Sequence, residues 1–251
     1  MVRLLQATIK LGGVSIRRLD FNLDPSALAR PTFRSVVDEA MMNYLLATLL
    51  GFMLGSPPCG FLVAKVLGMD IRQHGSGNIG ATNVFRQLGW KWGVLVLLLD
   101  GFKGWLACEL ALRFLAPGAG MVSPIALTAG LAAVMGHNYT PWLGFRGGKG
   151  IATSAGVLLA LTPFAFMIAL GTFVVSLTLF RMVSLGSVLA ALALPIAVVW
   201  HDGMGAMLWV SIILCLLAWW KHLPNLKRIL GGTEPKIGRR QSPPPSTKGM
   251  S

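Results

Sequence analysis

Apolar residues gather into long runs separated by short polar segments, with neither the period-2 alternation of half-buried strands nor the apolar stripe of a soluble amphipathic helix. A hydrocarbon core about 30 Å thick takes a helix of around 20 apolar residues. Seven runs qualify, near 43–67, 92–115, 122–137, 150–162, 164–180, 184–200 and 204–221. The fourth is short and is broken from the fifth at Thr162-Pro163, so it predicts a half-helix or one arm of a tight helical hairpin. Gly55, Pro57, Pro58 and Gly60 interrupt the first run and predict a kink with close approach by a neighbouring helix. The pattern predicts an all-α integral membrane protein of about seven transmembrane helices, some short or broken.

Composition sharpens this picture. Of 251 residues, 54% are hydrophobic and 12% charged, with a mean hydropathy of +0.67. A soluble domain carries about 25% charged residues, so both a soluble enzyme and a disordered chain are excluded. The net charge is +13. In a soluble protein that would suggest nucleic acid; in so apolar a chain it suggests cytoplasmic loops facing anionic lipid and phosphorylated substrates. No nucleic-acid partner is expected. Cys59, Cys108 and Cys215 lie in apolar runs without metal-ligand spacing, so neither a disulfide framework nor a metal site is expected.

Basic residues fix the expected orientation. Arg72, Arg86 and Lys91, then Arg146 and Lys149, then Arg181, then the C-terminal basic cluster all fall on one side, whereas the opposite loops near 116–121, 163 and 201–203 hold no Lys or Arg. The loaded side is therefore cytoplasmic, with the N-terminus outside and the C-terminus inside. Residues 1–40 resist this assignment, because they carry Arg3, Lys10, Arg17, Arg18, Arg30 and Arg34 without an apolar signal-peptide core. With Met41 and Met42 directly before the first run, 1–40 is expected to be an N-terminal extension, either created by a start assigned too early or forming a peripheral arm. Residues 41–232 then form the membrane domain, and 233–251 a basic, disordered cytoplasmic tail.

Two polar motifs stand on that cytoplasmic side. In Gly75-Ser76-Gly77-Asn78-Ile79-Gly80-Ala81-Thr82-Asn83-Val84-Phe85-Arg86, glycines let successive N–H groups curl around an anion while Ser, Thr and Asn donate further bonds and Arg86 clamps a phosphate. The letters also match a dinucleotide fingerprint, but no strand precedes them. In the second motif, Phe145-Arg146-Gly147-Gly148-Lys149-Gly150, a lysine meets the start of a helix, and both favour an anion. Leu143 and Gly150 stand where a Walker A motif needs Gly and Ser/Thr, so an ATPase is not expected. Smaller signals are Asp100 and Lys103, which share a face of the second run, Ser184-Leu-Gly-Ser187, and His222-Leu-Pro-Asn225.

In this order the motifs resemble the PlsY family of bacterial membrane acyl-phosphate:glycerol-3-phosphate acyltransferases. The resemblance also takes in Gly55-Ser56-Pro57, Asp100-Gly-Phe-Lys103-Gly104, Gly136-His137, Ile151-Ala-Thr153, Arg228 and Gly232-Thr-Glu234-Pro-Lys236, over about residues 43–237. Arg146 departs from the family's usual Lys but keeps the charge. The resemblance implies seven membrane helices, a cytoplasmic-face active site, and acyl transfer from acyl phosphate to the 1-hydroxyl of glycerol 3-phosphate, giving lysophosphatidic acid and phosphate without a cofactor. It puts the protein in the bacterial inner membrane, among membrane lipids, and leaves room for an acyl-phosphate-producing partner enzyme. On this reading Ser76, Gly77, Asn78, Gly80, Thr82 and Asn83 hold the acyl phosphate. Arg86 and Lys149 hold the glycerol phosphate, and Ser184, His222 and Asn225 orient it; Lys149, Ser184, His222 and Asn225 are the expected catalytic residues. His137, His222 and Asp100 are the candidate bases, yet none stands in a readable nucleophile–base pattern, so a substrate phosphate is the expected proton acceptor. Thioester-dependent acyltransferases need His-x4-Asp, and CDP-alcohol phosphotransferases a run of aspartates; both are missing. The rival from another class is a small-solute transporter, suggested by broken helices and the Asp100/Lys103 pair.

Overall fold

The computed structural model describes residues 33–238. The chain divides into two compact units, Met1–Glu39 and Ala40–Ser251. Of the first, only the residues that begin α1 are described; the rest of the expected N-terminal extension, and the expected tail beyond 238, lie outside the described residues.

Nine α-helices and no strand occur among the described residues: α1 Phe33–Gly55, α2 Cys59–Val66, α3 Ala81–Leu88, α4 Trp90–Phe114, α5 Pro124–Asn138, α6 Ile151–Leu161, α7 Pro163–Phe180, α8 Val183–Asp202 and α9 Ala206–Leu230. Each apolar run is helical. α1 starts well before residue 43 because no Gly or Pro interrupts 33–50 to stop it. Four spans are long and apolar enough to cross a bilayer by themselves: Arg34–Val66, Pro163–Phe180, Val183–Asp202 and Ala206–Leu230. α4 has the length but carries Asp100, Lys103 and Glu109, and α5 and α6 are short.

The expected kink is a complete break. α1 stops at Gly55 and the chain restarts as α2 at Cys59, since two consecutive prolines remove two N–H donors. The carbonyls freed there find other donors: the Thr140 hydroxyl on Ser56 O at 2.6 Å and the Lys103 ammonium on Pro57 O at 2.9 Å. In hydrocarbon such carbonyls are tolerated only when protein covers them in this way. Glycine lets α1 lie against α5, for a Cβ on Gly55 would collide with the Ala133 backbone. α6 is held against α4 by the same device, Gly156 on Gly101.

The core is built largely of alanines, Ala47, Ala111, Ala126, Ala129, Ala160 and Ala197 among them, with Val157, Leu161, Leu194 and Met207 between. Large apolar side chains such as Leu179, Ile196, Leu216 and Trp209 face outward, the inversion a lipid solvent permits. Exposed tryptophans sit at both ends of the helices, Trp90, Trp92 and Trp220 at one and Trp200 and Trp209 at the other, as interfacial anchors do.

One end of the bundle gathers what matters. The N-terminal halves of α4, α6 and α8 and the C-terminal ends of α5, α7 and α9 meet there, because consecutive helices alternate direction. α6 has only 11 residues, about 16 Å of rise, against 18 in α7. Its start is therefore recessed between α4 and α7. Residues 233–237, expected as disordered tail, instead fold back onto this end: Ile237 N donates to Arg181 O at 2.8 Å and Arg86 donates to Pro235 O at 3.2 Å. Specific polar contacts hold a segment that hydropathy alone assigns to solvent.

Candidate active site

A cavity of about 930 Å³ opens at that end of the bundle. Of the eleven expected site residues, Ser76, Asn78, Gly80, Thr82, Asn83, Arg86, Lys149, Ser184, His222 and Asn225 line it. Gly77 does not; it lines a neighbouring cleft of about 460 Å³ with Arg72 and Arg146.

The glycine motif is only half loop. Gly75 and Gly77 take left-handed φ values of +60° and +69°, which turn the chain back so that α3 starts at Ala81. Asn83 is the hub of the turn rather than a free phosphate ligand. Its Oδ1 accepts from Ser76 N at 3.1 Å, and its Nδ2 donates to His74 O at 3.0 Å and Asn78 O at 2.9 Å, with a longer bond to Ile71 O. Buried and engaged on both atoms, it shapes the site instead of reaching into it. The expected nest is likewise partly spent on itself, because Gly77 N donates to His74 O and Gly80 N to Asn78 Oδ1. The donors left for an anion are the Ser76 and Thr82 hydroxyls and the Ala81 and Thr82 N–H groups that open α3, since Asn83 N and Val84 N already donate to Gly80 O. α3 itself went unread in the sequence, being eight residues inside a motif that looks like pure loop.

A second helix N-terminus opens into the same cavity. Gly150, left-handed at φ +80°, caps α6 and follows Lys149 directly. The Lys149 ammonium donates to Asn225 Oδ1 from α9, whose Nδ2 donates at 2.7 Å to Glu234. Ser184, at the start of α8, donates to the same carboxylate oxygen at 2.7 Å, and Arg228 Nε reaches the other at 2.8 Å. Glu234 thus ties α8, α9 and the returning C-terminal segment together. Sequence reasoning placed it in a disordered tail, and its only signal was the Gly232-Thr-Glu234-Pro-Lys236 ending. Burial opposes its charge, but the donors from Ser184, Asn225 and Arg228 hold its carboxyl below the ordinary range. Burial also pulls the Lys149 ammonium down to about 8; Glu234 opposes this, while Arg228 and Arg86 reinforce it.

The floor of the cavity includes Asp100 and His137. Lys103 does pair with Asp100, at 2.8 Å, and also lies 2.9 Å from His137 Nδ1. Its ammonium hydrogen-bonds to His137 Nδ1 and Pro57 O and is ion-paired with Asp100. His222 Nδ1 lies 2.7 Å from Ala218 O and must donate to it, leaving Nε2 as an acceptor on a residue that lines the cavity. Val94, Leu97, Phe173 and Leu177, from α4 and α7, give the cavity an apolar flank above the recessed start of α6. Cys59, Cys108 and Cys215 are free thiols and none lines the cavity, although Cys59 neighbours Asp100 of its floor. No group of three or more His, Cys, Asp or Glu able to hold a metal occurs among the described residues.

The family model described as glycerol-3-phosphate acyltransferase matches residues 45–232. A glycerol-3-phosphate acyltransferase of Synechococcus sp. (strain CC9902) is 42% identical over 201 residues, covering 80% of this chain and 98% of that protein. One of Thermus thermophilus is 44% identical over 198 residues, 76% of this chain and 94% of that one. Among solved structures, the fold is similar to PlsY (YgiH), an integral membrane glycerol 3-phosphate acyltransferase, in its glycerol 3-phosphate form: TM-score 0.72 and 35% identity over 78% of this chain and 96% of that chain. The lysophosphatidic acid form of PlsY gives a TM-score of 0.70 at the same identity. Helices, cavity and comparisons agree that this chain belongs to the integral membrane glycerol-3-phosphate acyltransferase family.

Proposed function

We propose that this protein transfers a fatty acyl group from acyl phosphate to the 1-hydroxyl of glycerol 3-phosphate, giving lysophosphatidic acid and phosphate. The observation that carries the reading is one cavity into which two helix N-termini, Arg86 and Lys149 all open beside an apolar flank. Two phosphates that repel each other can be held together only by fixed donors and cations, and a fatty chain needs an apolar exit toward lipid. The related PlsY structures are a glycerol 3-phosphate form and a lysophosphatidic acid form, which supports the acceptor and the product.

The acyl phosphate head sits on Ser76, Thr82 and the start of α3, within the turn that Gly77, Asn78, Gly80 and Asn83 shape. Glycerol phosphate sits on Arg86 and Lys149, with Ser184, His222 and Asn225 orienting it. His222 Nε2, the acceptor, receives the hydrogen bond of the neighbouring 2-hydroxyl and so orients the glycerol, leaving the proton of the attacking 1-hydroxyl free to move elsewhere. Phosphate is already a good leaving group, so a substrate phosphate oxygen, with a second pKa of about 6, accepts the proton. No cofactor enters this scheme. The seven-span reading places the site on the cytoplasmic face of a bacterial inner membrane, where an enzyme that makes acyl phosphate supplies the donor.

Detergent-solubilised protein should release inorganic phosphate from acyl phosphate only when glycerol 3-phosphate is present; a solute transporter would release none. His222→Ala should weaken turnover, and added imidazole should leave it weak. Recovery with imidazole, at unchanged substrate KM, would identify His222 as a true general base and defeat the substrate-assisted step.

A further inference from the structure

Asp100, Lys103 and His137 form a buried polar cluster that the proposed mechanism leaves without work. They are 1%, 6% and 4% exposed, respectively. Buried ionisable groups within a membrane bundle are expensive, and three together need a reason. Pairing explains Asp100 and Lys103, but it does not explain why His137 joins them or why it borders the cavity.

The arrangement fixes which ring nitrogen carries the proton. Lys103 Nζ approaches His137 Nδ1 at 2.9 Å while it also holds Asp100 at 2.8 Å and Pro57 O at 2.9 Å. An ammonium has only protons to offer, so His137 Nδ1 accepts from it at 2.9 Å; Asp100 Oδ1, which would call for a proton on the same nitrogen, lies farther off at 3.5 Å, beyond ordinary hydrogen-bond length. The proton of the neutral ring then resides on Nε2. That nitrogen faces the Gly147-Gly148-Lys149 turn so closely that a Cβ on Gly148 would collide with Nε2 and Cε1. Gly148 N in turn donates to His137 O at 3.1 Å, which fixes the turn over the ring. No hydrogen-bond partner is found for Nε2 among the described residues. His222 is set the other way, with its donor on Ala218 O and its acceptor free. One cavity therefore holds a fixed donor histidine and a fixed acceptor histidine.

We propose that His137 Nε2–H is a hydrogen-bond donor to the acyl carbonyl oxygen in the transition state, held in that tautomer by Lys103 and Asp100. This rests on the acyl-phosphate reading above. As the hydroxyl oxygen of glycerol 3-phosphate bonds to the acyl carbon, the carbonyl π electrons move onto its oxygen, where Nε2–H meets the growing charge. Collapse restores the carbonyl and breaks the bond to the leaving phosphate, which departs with the electron pair. The hydroxyl proton passes to a phosphate oxygen, and His137 keeps its own proton throughout. A neutral donor suits this position: Arg86 and Lys149 answer the fixed charge of the phosphates, while a pre-oriented dipole answers charge present only in transit.

The test compares His137→Met with His137→Gln in the full-length protein, solubilised in detergent. Both side chains fill similar space, and only glutamine offers an N–H near the Nε2 position. H137M should lose about a hundredfold in kcat, the usual cost of one oxyanion donor, with KM for both substrates changed less than threefold. H137Q should recover at least tenfold over H137M. The neutral pair Asp100→Asn with Lys103→Met, which frees the tautomer without stranding a charge, should lower kcat with KM unchanged. Wild-type kcat in H137M, a loss expressed in KM, or H137Q no faster than H137M would overturn the assignment. A purely structural His137 would depress both variants alike. Wild-type protein without glycerol-3-phosphate-dependent phosphate release would instead overturn the parent reading, so the two failures are distinct.

Discussion

Alanine at Lys149 or at Arg86 is expected to lower kcat/KM for glycerol 3-phosphate by about tenfold to more than a hundredfold, since a hydrogen bond to a charged group contributes roughly 1.5–3 kcal/mol. Both side chains reach the cavity from outside the long apolar helices: Lys149 from the turn that caps α6, Arg86 from the short helix α3. Their loss should leave the bundle intact. The melting temperature in detergent should move little for either variant, which separates a binding defect from misfolding. Wild-type rates in either one would sink the site assignment.

The lysine also predicts a pH limb. Its pKa of about 8 lies well below the ordinary 10.5, because burial disfavours the charged form. The cation that binds phosphate is therefore complete below pH 8 and is lost as the pH rises through that value. kcat/KM, which reports the free enzyme, should fall above pH 8. A bound dianion favours the charged lysine, so the limb in kcat should lie at higher pH. Lys149→Arg keeps its charge throughout and should abolish the limb even if its rate is lower.

The sequence made the helices legible because lipid demands long apolar runs; each of the seven runs is helical, the first as two helices broken at the prolines. It also named ten residues that share one cavity, since phosphate chemistry draws on few residue types and those types are scarce in this chain. Roles were harder to read than membership. Asn83 reads like Asn78 in sequence, and only the fold shows that the turn consumes its amide. Gly77 shapes the same turn yet faces the neighbouring cleft. The histidines were candidate bases of equal standing until Lys103 and Ala218 O gave them opposite tautomers. Those contacts join residues 34 and 4 positions apart. Only the second, one helical turn away, lies within reach of a sequence pattern.

Glu234→Ala should be the most damaging single change in the site. Composition places this residue in a basic tail, yet its side chain is 1% exposed and receives Ser184, Asn225 and Arg228. Removing it takes the ion-pair partner from Arg228 and leaves the buried Asn225 and Ser184 without the acceptor that orients them. Asn225 in turn positions Lys149, so the defect reaches the phosphate cation. The Arg228 side chain is 38% exposed and keeps water, so the main cost is that of leaving buried donors without an acceptor, about 1–3 kcal/mol. A fall in detergent melting temperature together with a loss of kcat/KM beyond a hundredfold is expected. Glu234→Gln should do less harm, because its carbonyl still accepts from Ser184 and Asn225 while its amide faces Arg228 with the wrong polarity. The carboxylate is held below its ordinary pKa of 4.5, so its contribution is complete above that value and disappears only as the pH falls through the lower, folded-state one. The wild-type melting temperature should consequently fall on acidification below pH 4.5, and the Glu234→Gln protein should lose that part of the dependence. An alanine variant with wild-type stability and kcat/KM within threefold would show that the returning segment merely rests on the site and does not build it.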